Sequence, residues 1–494
     1  MAGQGIGDPL TAVRRLLCAA GAEAYVVGGR VRDAVLDRSA PPEAWSGGLD
    51  TDVVVRSDAV GHAAALARAL DGTALVLDQA RDMARVVWAD ATLDLARMVG
   101  PHLDADLGAR DFTINAMAVP LAGLWPPTAG QVIDPTGGLA DLAGRTVRMT
   151  TARALDADPL RMLRAVRFAC QLDFTVEART REAIRDRAAE LRRPARERVR
   201  DELVKTLATP LAARGVRDLA ELGLLGPVLP EVAACRGVAQ RAPHTMDVLE
   251  HTLLVLEHVV RIQAALDGAE AAVDAAVAGL LRRFERPLRA HLGRRHGSLP
   301  RWLLGRAAAL LHDVGKPALL AGAGSDGGAA FAAHGLEGAR LAATAGRRLR
   351  LSGRDVHFLQ RAVAGHLLPL RLVRSGVTPR RVFGYYETLG SVGVDVALLS
   401  LADNAAKPAA EPGRVAAVAA VAERLLADWF EHRDSRVSPL PLLTGSEIMV
   451  ALDISAGPAV GRLSAALREA QAAGEVRTRA QALAFVRQAH RALP

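Results

Sequence analysis

The stretch LDTDVVV, residues 49–55, places two aspartates one residue apart at the mouth of an apolar run. Its β-branched residues predict a strand, and in a strand residues i and i+2 face the same side. Asp50 and Asp52 are therefore expected to point together. Burying them ionised and unpaired would cost several kcal/mol. Facing carboxylates at a strand end suit hard divalent cations such as Mg²⁺, which favour carboxylate together with substrate phosphate. Two such ions, bridging an attacking hydroxyl and a nucleoside triphosphate, would drive in-line nucleotidyl transfer.

The segment just upstream fits that chemistry. In YVVGGRVRD, residues 25–33, a β-branched strand runs into Gly28-Gly29. Without side chains there, an anion can approach the backbone N–H groups. Arg32 then falls in the first turn of the next helix, where it can clasp a phosphate. Asp94, in the strand-like TLDLARM, is a candidate third carboxylate.

Downstream come DLGARDFTINAMA (106–118), DPTGGLADLAGRTVR (134–148) and DPLRMLRAVRFA (158–169). Arg110 and Asp111, alone, would read as a surface ion pair of little worth. Asp158-Pro159 predicts an N-cap with proline at the first helical position. Arg161, Arg164 and Arg167 then recur every third residue along one drifting face, while Leu163, Val166 and Cys170 cover the other. An aspartate and an arginine one turn apart can hydrogen-bond the edge of a base, with the later arginines meeting a triphosphate.

The 494 residues carry a net charge of +8, and lysine occurs only at Lys205, Lys316 and Lys407. The positive charge is thus almost wholly arginine, whose planar fork pairs bidentately with phosphate, so a polyanionic partner is expected. Aromatics are only 3%, which argues against stacking platforms rich in Phe and Tyr. Cys18, Cys170 and Cys235 are too scattered for a disulfide framework or a metal-type pair, which fits a reducing cytoplasm. The N-terminal segment lacks a secretory pattern, and no charge-free apolar run reaches membrane-spanning length. A cytoplasmic protein without membrane contact is expected.

Residues 1–150 have an α/β texture, with short β-like runs at 24–27, 74–77, 85–88 and 92–95 after a helix at 8–20. A loop rich in Pro and Gly occupies 41–48. The pattern then turns helical and basic (151–235), stays helical with most of the histidines (236–410), and ends in a helical tail (411–494). Flexible loop composition marks 321–328 (AGAGSDGG).

Taken together, GGRVRD, DTD, RDFTINAMA, DPTGGLADL, DPLRMLRAVRFA and ERVRDELVKTL resemble the class II tRNA nucleotidyltransferase and bacterial poly(A) polymerase family. They occur in the family's order and cover residues 25 to 207. The resemblance implies an α+β fold: a polymerase-beta-like nucleotidyltransferase head with a mixed sheet, followed by an all-helical neck, HD domain and tail. It implies that Asp50 and Asp52 bind catalytic Mg²⁺, and that Gly28, Gly29, Arg32, Arg110, Asp111, Arg164 and Arg167 contact the nucleotide. Asp158 and Arg161 would read the Watson–Crick edges of CTP and then ATP, for addition of CCA to tRNA 3′ ends. Three departures from the family pattern bear on this. Ala157 replaces an acidic residue, Ala109 replaces the first of two arginines, and the loop between Arg97 and Asp106 is short. In relatives, loss of that loop goes with enzymes that add only CC.

The middle region holds HTMDVLEHTLLVLEHVV (244–260), ALLHDVGKPALL (309–320), His334, His366 and SLADNAAK (400–407). An adjacent His312-Asp313 in an apolar helix is unusual, because two polar groups at its buried end need partners. Imidazole with carboxylate suits a divalent metal. His251, His312, Asp313 and Asp403 resemble the H…HD…D pattern of HD-domain phosphohydrolases, and His334 and His366 match histidines that some such domains use for a second metal. The resemblance implies metal-assisted hydrolysis of a phosphate ester, with Mn, Ni, Fe or Mg as the ion. His258, His291 and His296 read as packed or surface histidines.

CCA addition is the leading expectation, ahead of a poly(A) polymerase or an enzyme adding only CC or only A. Poly(A) polymerases of the family generally lack a full HD ligand set and often carry a basic C-terminal extension. A non-catalytic RNA-binding protein is disfavoured, because it has no use for two facing carboxylates. The sequence leaves oligomeric state open.

Overall fold

The computed structural model describes residues 9–36, 49–89, 91–123, 125–240, 246–269, 273–320, 327–407 and 413–491. The loop expected at 41–48, and most of that at 321–328, lie outside these. The chain divides into two compact units, residues 1–194 and 195–494. The boundary falls inside the basic helical segment 151–235.

The first unit is built on a six-stranded mixed sheet. Its strands are β1 (Ala24–Val27), β2 (Leu49–Val55), β3 (Thr73–Asp78), β4 (Met83–Trp88), β5 (Ala91–Arg97) and β6 (Ala118–Pro120), in the order β3-β4-β5-β2-β1-β6. Only β2 and β5 run parallel; the other neighbours are antiparallel. Each predicted β-like run is a strand here. Helices α1 (Pro9–Ala19), α2 (Gly29–Leu36) and α3 (Ala59–Ala69) accompany the sheet. Val27, Val53, Val55, Leu93, Leu95, Phe112, Ile114 and Met117 are almost fully buried. Each such side chain contributes about 1.5–3 kcal/mol relative to exposure.

Short helices α4 (Leu103–Gly108) and α5 (Gly138–Ala143) frame the DFTIN turn, where Thr113–Asn115 form a single 3₁₀ turn. The DPTGG motif has a packing reason. Asp134 accepts hydrogen bonds from the N–H groups of Gly138 and Leu139 at 2.7 and 2.8 Å. A Cβ on Gly138 would lie 2.3 Å from the Thr113 carbonyl, so only glycine lets α5 approach the turn.

Beyond α6 (Ala154–Ala157) comes α7 (Arg161–Leu172), beside a two-stranded parallel sheet of β7 (Thr146–Val147) and β8 (Thr175–Val176); α8 (Ala178–Arg187) follows. Asp158 is not the N-cap expected from Asp-Pro: α7 starts two residues later, with Leu160 at the cap. Asp158 keeps the extended backbone imposed by a following proline (φ −151°, ψ 107°). The first turn then closes by i→i+3 bonds, Arg161 N–H to Asp158 O and Met162 N–H to Pro159 O. The Asp158 carboxylate still caps, accepting from the Leu160 N–H at 3.1 Å.

The second unit is helical. Helices Val248–Leu266, Arg301–Leu311, Gly353–Gly365 and Val392–Ala405 pack around a polar cluster described below, with Gly327–Arg348 against Gly353–Gly365. The last three helices, Gly445–Leu452, Pro458–Ala472 and Arg479–Arg491, share a small core of Leu443, Ile448, Leu463, Leu467 and Val486. Thr444 and Glu447 form a reciprocal capping box at the first of them. Among the described residues, no helix is long and apolar enough to cross a membrane.

Candidate active site and a second candidate metal centre

In the first unit, Asp52 lies on β2 opposite Val27 of β1 and Asp94 of β5. Gly28 follows β1 in the left-handed region (φ +77°), which glycine adopts without strain. A Cβ there would meet Asp52 Oδ2 at 3.0 Å and Arg110 Nη1 at 3.6 Å. Glycine thus brings backbone, carboxylate and guanidinium together, with Asp52 exposed to solvent. The Asp50 backbone pairs with Thr92, two positions back along β2; its side chain lies outside the described residues. Asp94 does not serve as an open third carboxylate. Arg85, directly across on β4, grips both its oxygens at 2.7 and 2.8 Å.

Arg110 is steered by Asp106, whose Oδ2 accepts from Nε and Nη2 at 3.2 and 3.1 Å. Asp106 also accepts the Val99 N–H at 2.9 Å, so the short connection after β5 is tied to the same carboxylate.

A polar chain runs from α2 to α7. Arg32, 4% exposed, donates to Asn115 Oδ1 at 2.8 Å and to Asp33. Asn115 Nδ2 donates to Asp111 Oδ1 at 3.3 Å, and Asp111 Oδ2 accepts from Arg164 at 2.8 and 2.6 Å. Burial pushes the Asp111 carboxyl up. The Arg164 charge and the Phe112 N–H outweigh that, and hold it below the usual carboxylate range. Arg167 donates to Gln171 at 2.9 Å. Arg161 instead spreads over three backbone carbonyls, of Ala109, Arg110 and Ala154, at 2.9 to 3.2 Å. Burial draws its pKa below the ordinary arginine value.

Gly28, Gly29, Arg32, Asp52, Arg110, Asp111, Asp158, Arg161, Arg164 and Arg167 are therefore linked through one neighbourhood of the head and α7. Asn115 was not among the candidates. The signal was its spacing, four residues after Asp111, but its partner Arg32 is 83 positions away.

The second unit holds the histidine cluster, and all six predicted ligands are buried. Asp313 sits at its centre. One Asp313 oxygen lies 3.2 Å from His312 Nε2 and 3.8 Å from His251 Nε2; the other lies 3.5 Å from His334 Nε2 and 3.9 Å from His366 Nε2. Two ligand sets result: His251, His312 and Asp313, and Asp313, His334 and His366. Within each, the donor atoms all lie within 4.8 Å of one another. Asp403 stands beside them rather than in either set, accepting from His251 Nε2 at 3.0 Å.

The second nitrogens of two histidines are fixed. His312 Nδ1 and His366 Nδ1 each lie 2.7 Å from a backbone carbonyl one helical turn back, leaving Nε2 as the ligand face. His312 Nε2 is buried without a hydrogen-bond partner. Burial and the nearby His312 pull His366 down to about 3, so it is neutral and able to ligate. Lys316 Nζ lies 2.5 Å from Asp313 Oδ2 and Lys407 Nζ 2.6 Å from Asp403 Oδ2. Despite burial, these and the imidazoles hold both carboxyls well below their ordinary range. Neither lysine was singled out from sequence, although Lys316 stands within HDVGKP.

A mixed-sheet head, with a Gly-Gly turn against a strand-borne carboxylate and an arginine-rich helix after it, defines a nucleotidyltransferase-type protein. Profiles for "Poly A polymerase head domain" and "Probable RNA and SrmB-binding site of polymerase A" match residues 24–148 and 173–236. An A-adding tRNA nucleotidyltransferase of Deinococcus radiodurans is 35% identical over 94% of this chain and 94% of its own length. A CC-adding tRNA nucleotidyltransferase of Thermus thermophilus is 33% identical over 94% and 93%. A CCA-adding enzyme in complex with CTP superposes with a TM-score of 0.62, at 19% identity, over 98% of this chain and 96% of that one. The chain belongs to the tRNA nucleotidyltransferase and poly(A) polymerase family.

Proposed function

We propose that the chain adds nucleotides from CTP and ATP to the 3′ end of tRNA in the cytoplasm, completing its CCA sequence. The observation that carries this is the meeting of Asp52, Gly28 and Arg110 where β1 ends against the middle of β2. Asp50 and Asp52 would hold divalent ions, with Mg²⁺ the ion of choice for carboxylate and phosphate oxygen. Bound there, the metal would supply charge neutralisation for an in-line displacement at the triphosphate. Around it, the Gly28-Gly29 turn leaves room for phosphate, while Arg32, Arg110, Arg164 and Arg167 supply fixed positive charge. Asp158 and Arg161 stand together at the start of α7 as the pair to read the base. In this reading residues 1–150 are the head, 151–235 the neck, 236–410 an HD-type domain and 411–494 the tail.

A second reading, addition of only part of CCA, is favoured by two observations. The A-adding and CC-adding relatives match over 94% of the chain. Here also the connection from Arg97 to Asp106 is short and pinned by Asp106 to Val99. Primer extension decides. tRNA transcripts ending at the discriminator base, at CC and at CCA would each receive CTP, ATP or both with Mg²⁺. Growth that stops at CCA supports the first reading, and growth confined to C or to A supports the second. A long A ladder would overturn both in favour of a poly(A) polymerase.

We also propose that the buried cluster holds two divalent ions with Asp313 shared, and hydrolyses a phosphate ester. The donor chemistry fits: His312 and His366 turned Nε2-first by their Nδ1 contacts to backbone carbonyls, and the Asp313 and Asp403 carboxyls held well below their ordinary range. Metal analysis after dialysis, with hydrolysis of 2′,3′-cyclic and 2′-phosphate RNA ends, tests this. A protein that retains no metal would sink it.

A further inference from the structure

Three arginines of the first unit converge on one aromatic ring. Phe168, on α7, is 5% exposed and packs edge-on against Phe112, with centroids 5.9 Å apart. The guanidinium carbons of Arg167, Arg32 and Arg164 lie 4.0, 5.2 and 5.5 Å from its centroid. Arg32 arrives from α2, and the other two from the helix that carries the ring. Each has its own polar anchor: Asn115 and Asp33, Asp111, and Gln171 respectively for Arg32, Arg164 and Arg167. Phe168 is a partner that all three share.

Three like charges around one point repel, and separate anchors let each side chain drift toward its own acceptor. The negative face of an aromatic ring opposes this, attracting cations within about 6 Å of its centroid. Arg32 and Arg167 are buried, so solvent does little to screen either force. A leucine would stay apolar but lack both the ring's volume and its quadrupole.

We propose that Phe168 is a positioning residue: its ring holds Arg32, Arg164 and Arg167 as a preset cradle for the triphosphate of the incoming nucleotide. The identity of the ligand rests on the nucleotidyltransferase reading; the role of the ring does not. Preorganised charge of this kind binds a polyanion without reorganisation at the moment of binding.

The test keeps the ring's shape and changes its charge. Phenylalanines carrying one, two and three fluorines replace Phe168 in the full chain. ATP and CTP dissociation constants are measured by calorimetry, kcat and KM by primer extension, and Tm by scanning calorimetry. Dissociation constants and KM for both nucleotides should rise stepwise, to about ten-fold with three fluorines, with kcat changed by less than about two-fold. Tm should fall by only a few degrees, the share of the fold that the ring's attraction for the three arginines supplies, with every variant still folded at the assay temperature. Phe168→Tyr, which keeps a π face, should bind within about two-fold of wild type, and Phe168→Leu should resemble the trifluoro protein. Binding that is indifferent to fluorination overturns the proposal, as does a Phe168→Tyr protein that loses as much binding as the trifluoro protein. If the wild type binds nucleotides yet extends no tRNA, the transferase reading fails while the fluorine series still decides the role of Phe168. If it binds neither nucleotide, the cradle assignment falls.

Discussion

Asp111→Asn removes one charge from the centre of the head network and almost no volume. The Asp111 side chain is 7% exposed, and Arg164, its partner at 2.6 Å, is 39% exposed. Removing one partner of a fully buried pair costs about 3–5 kcal/mol, whereas an exposed pair is worth about 0.2–1. With one partner inside and the other two-fifths outside, about 1–2 kcal/mol is expected. Asparagine can still accept the Phe112 N–H through its carbonyl oxygen, so that bond does not add to the cost. In a domain of this size the unfolding transition should move down by about 4 °C. The sign with pH follows from the folded carboxyl titrating below its ordinary value. Its contribution is present above the unfolded pKa of about 3.9, and is lost as pH falls through the folded value. The gap between wild type and variant should therefore be full at pH 7 and close only below about pH 4. Arg164, released from its anchor, should raise KM for ATP and CTP alike by about ten-fold, with a smaller change in kcat. Calorimetry and primer extension measure the two effects. Unchanged stability with unchanged KM would show the pair to be passive. A rise in KM for one nucleotide alone would move Arg164 from phosphate to base recognition.

Replacing Asp50 and Asp52 together with alanine should reduce nucleotide addition to background while sparing tRNA binding in a filter assay; persistent addition would put the metal elsewhere. His312→Ala should empty the cluster of retained metal and remove phosphate-ester hydrolysis, with primer extension unchanged, because the two sites lie in different units. Loss of both activities would contradict separate sites. Asn115→Ala should raise nucleotide KM several-fold by uncoupling Arg32 from Asp111, and an unchanged KM would remove Asn115 from the network. Thr444→Ala should destabilise the tail by about 1 kcal/mol through its capping box, seen as faster proteolysis after residue 440; equal rates would refute it.

Local chemistry was legible from the chain. Alternating β-branched runs broken by glycine and proline gave the strands 24–27 and 49–55 within a residue, because period and punctuation act over a few positions. Asp158-Pro159 marked the right place but the wrong cap, since the first turn closes by i→i+3 bonds and the regular i→i+4 pattern starts two residues later. Pairings across long separations were not readable. The same aspartate type reads as a ligand at Asp52 and is neutralised at Asp94, and the difference is the register that sets Arg85 across from Asp94. Asn115 and Phe168 look like an ordinary polar residue and an ordinary core residue. Their part in the site depends on where α2 and α7 meet the DFTIN turn.

The distribution of lysine makes the same point from the opposite direction. Arginine serves nearly everywhere, including every cation of the head network, where flat forks face carboxylates, carbonyls and an aromatic ring. Two of the three lysines are instead set on the two carboxylates of the histidine cluster, Lys316 on Asp313 and Lys407 on Asp403. Both are largely buried, at 13% and 7% exposure. A guanidinium there would demand a wide planar slot and would pair with both carboxylate oxygens at once. That would take from Asp313 the oxygen it turns toward His334 and His366. An ammonium sits on one oxygen and leaves the other to His334 and His366 on Asp313 and to His251 on Asp403. The compositional preference for arginine thus gives way where the cluster needs a point charge, which is why the two sites differ in their cations as well as in their acids.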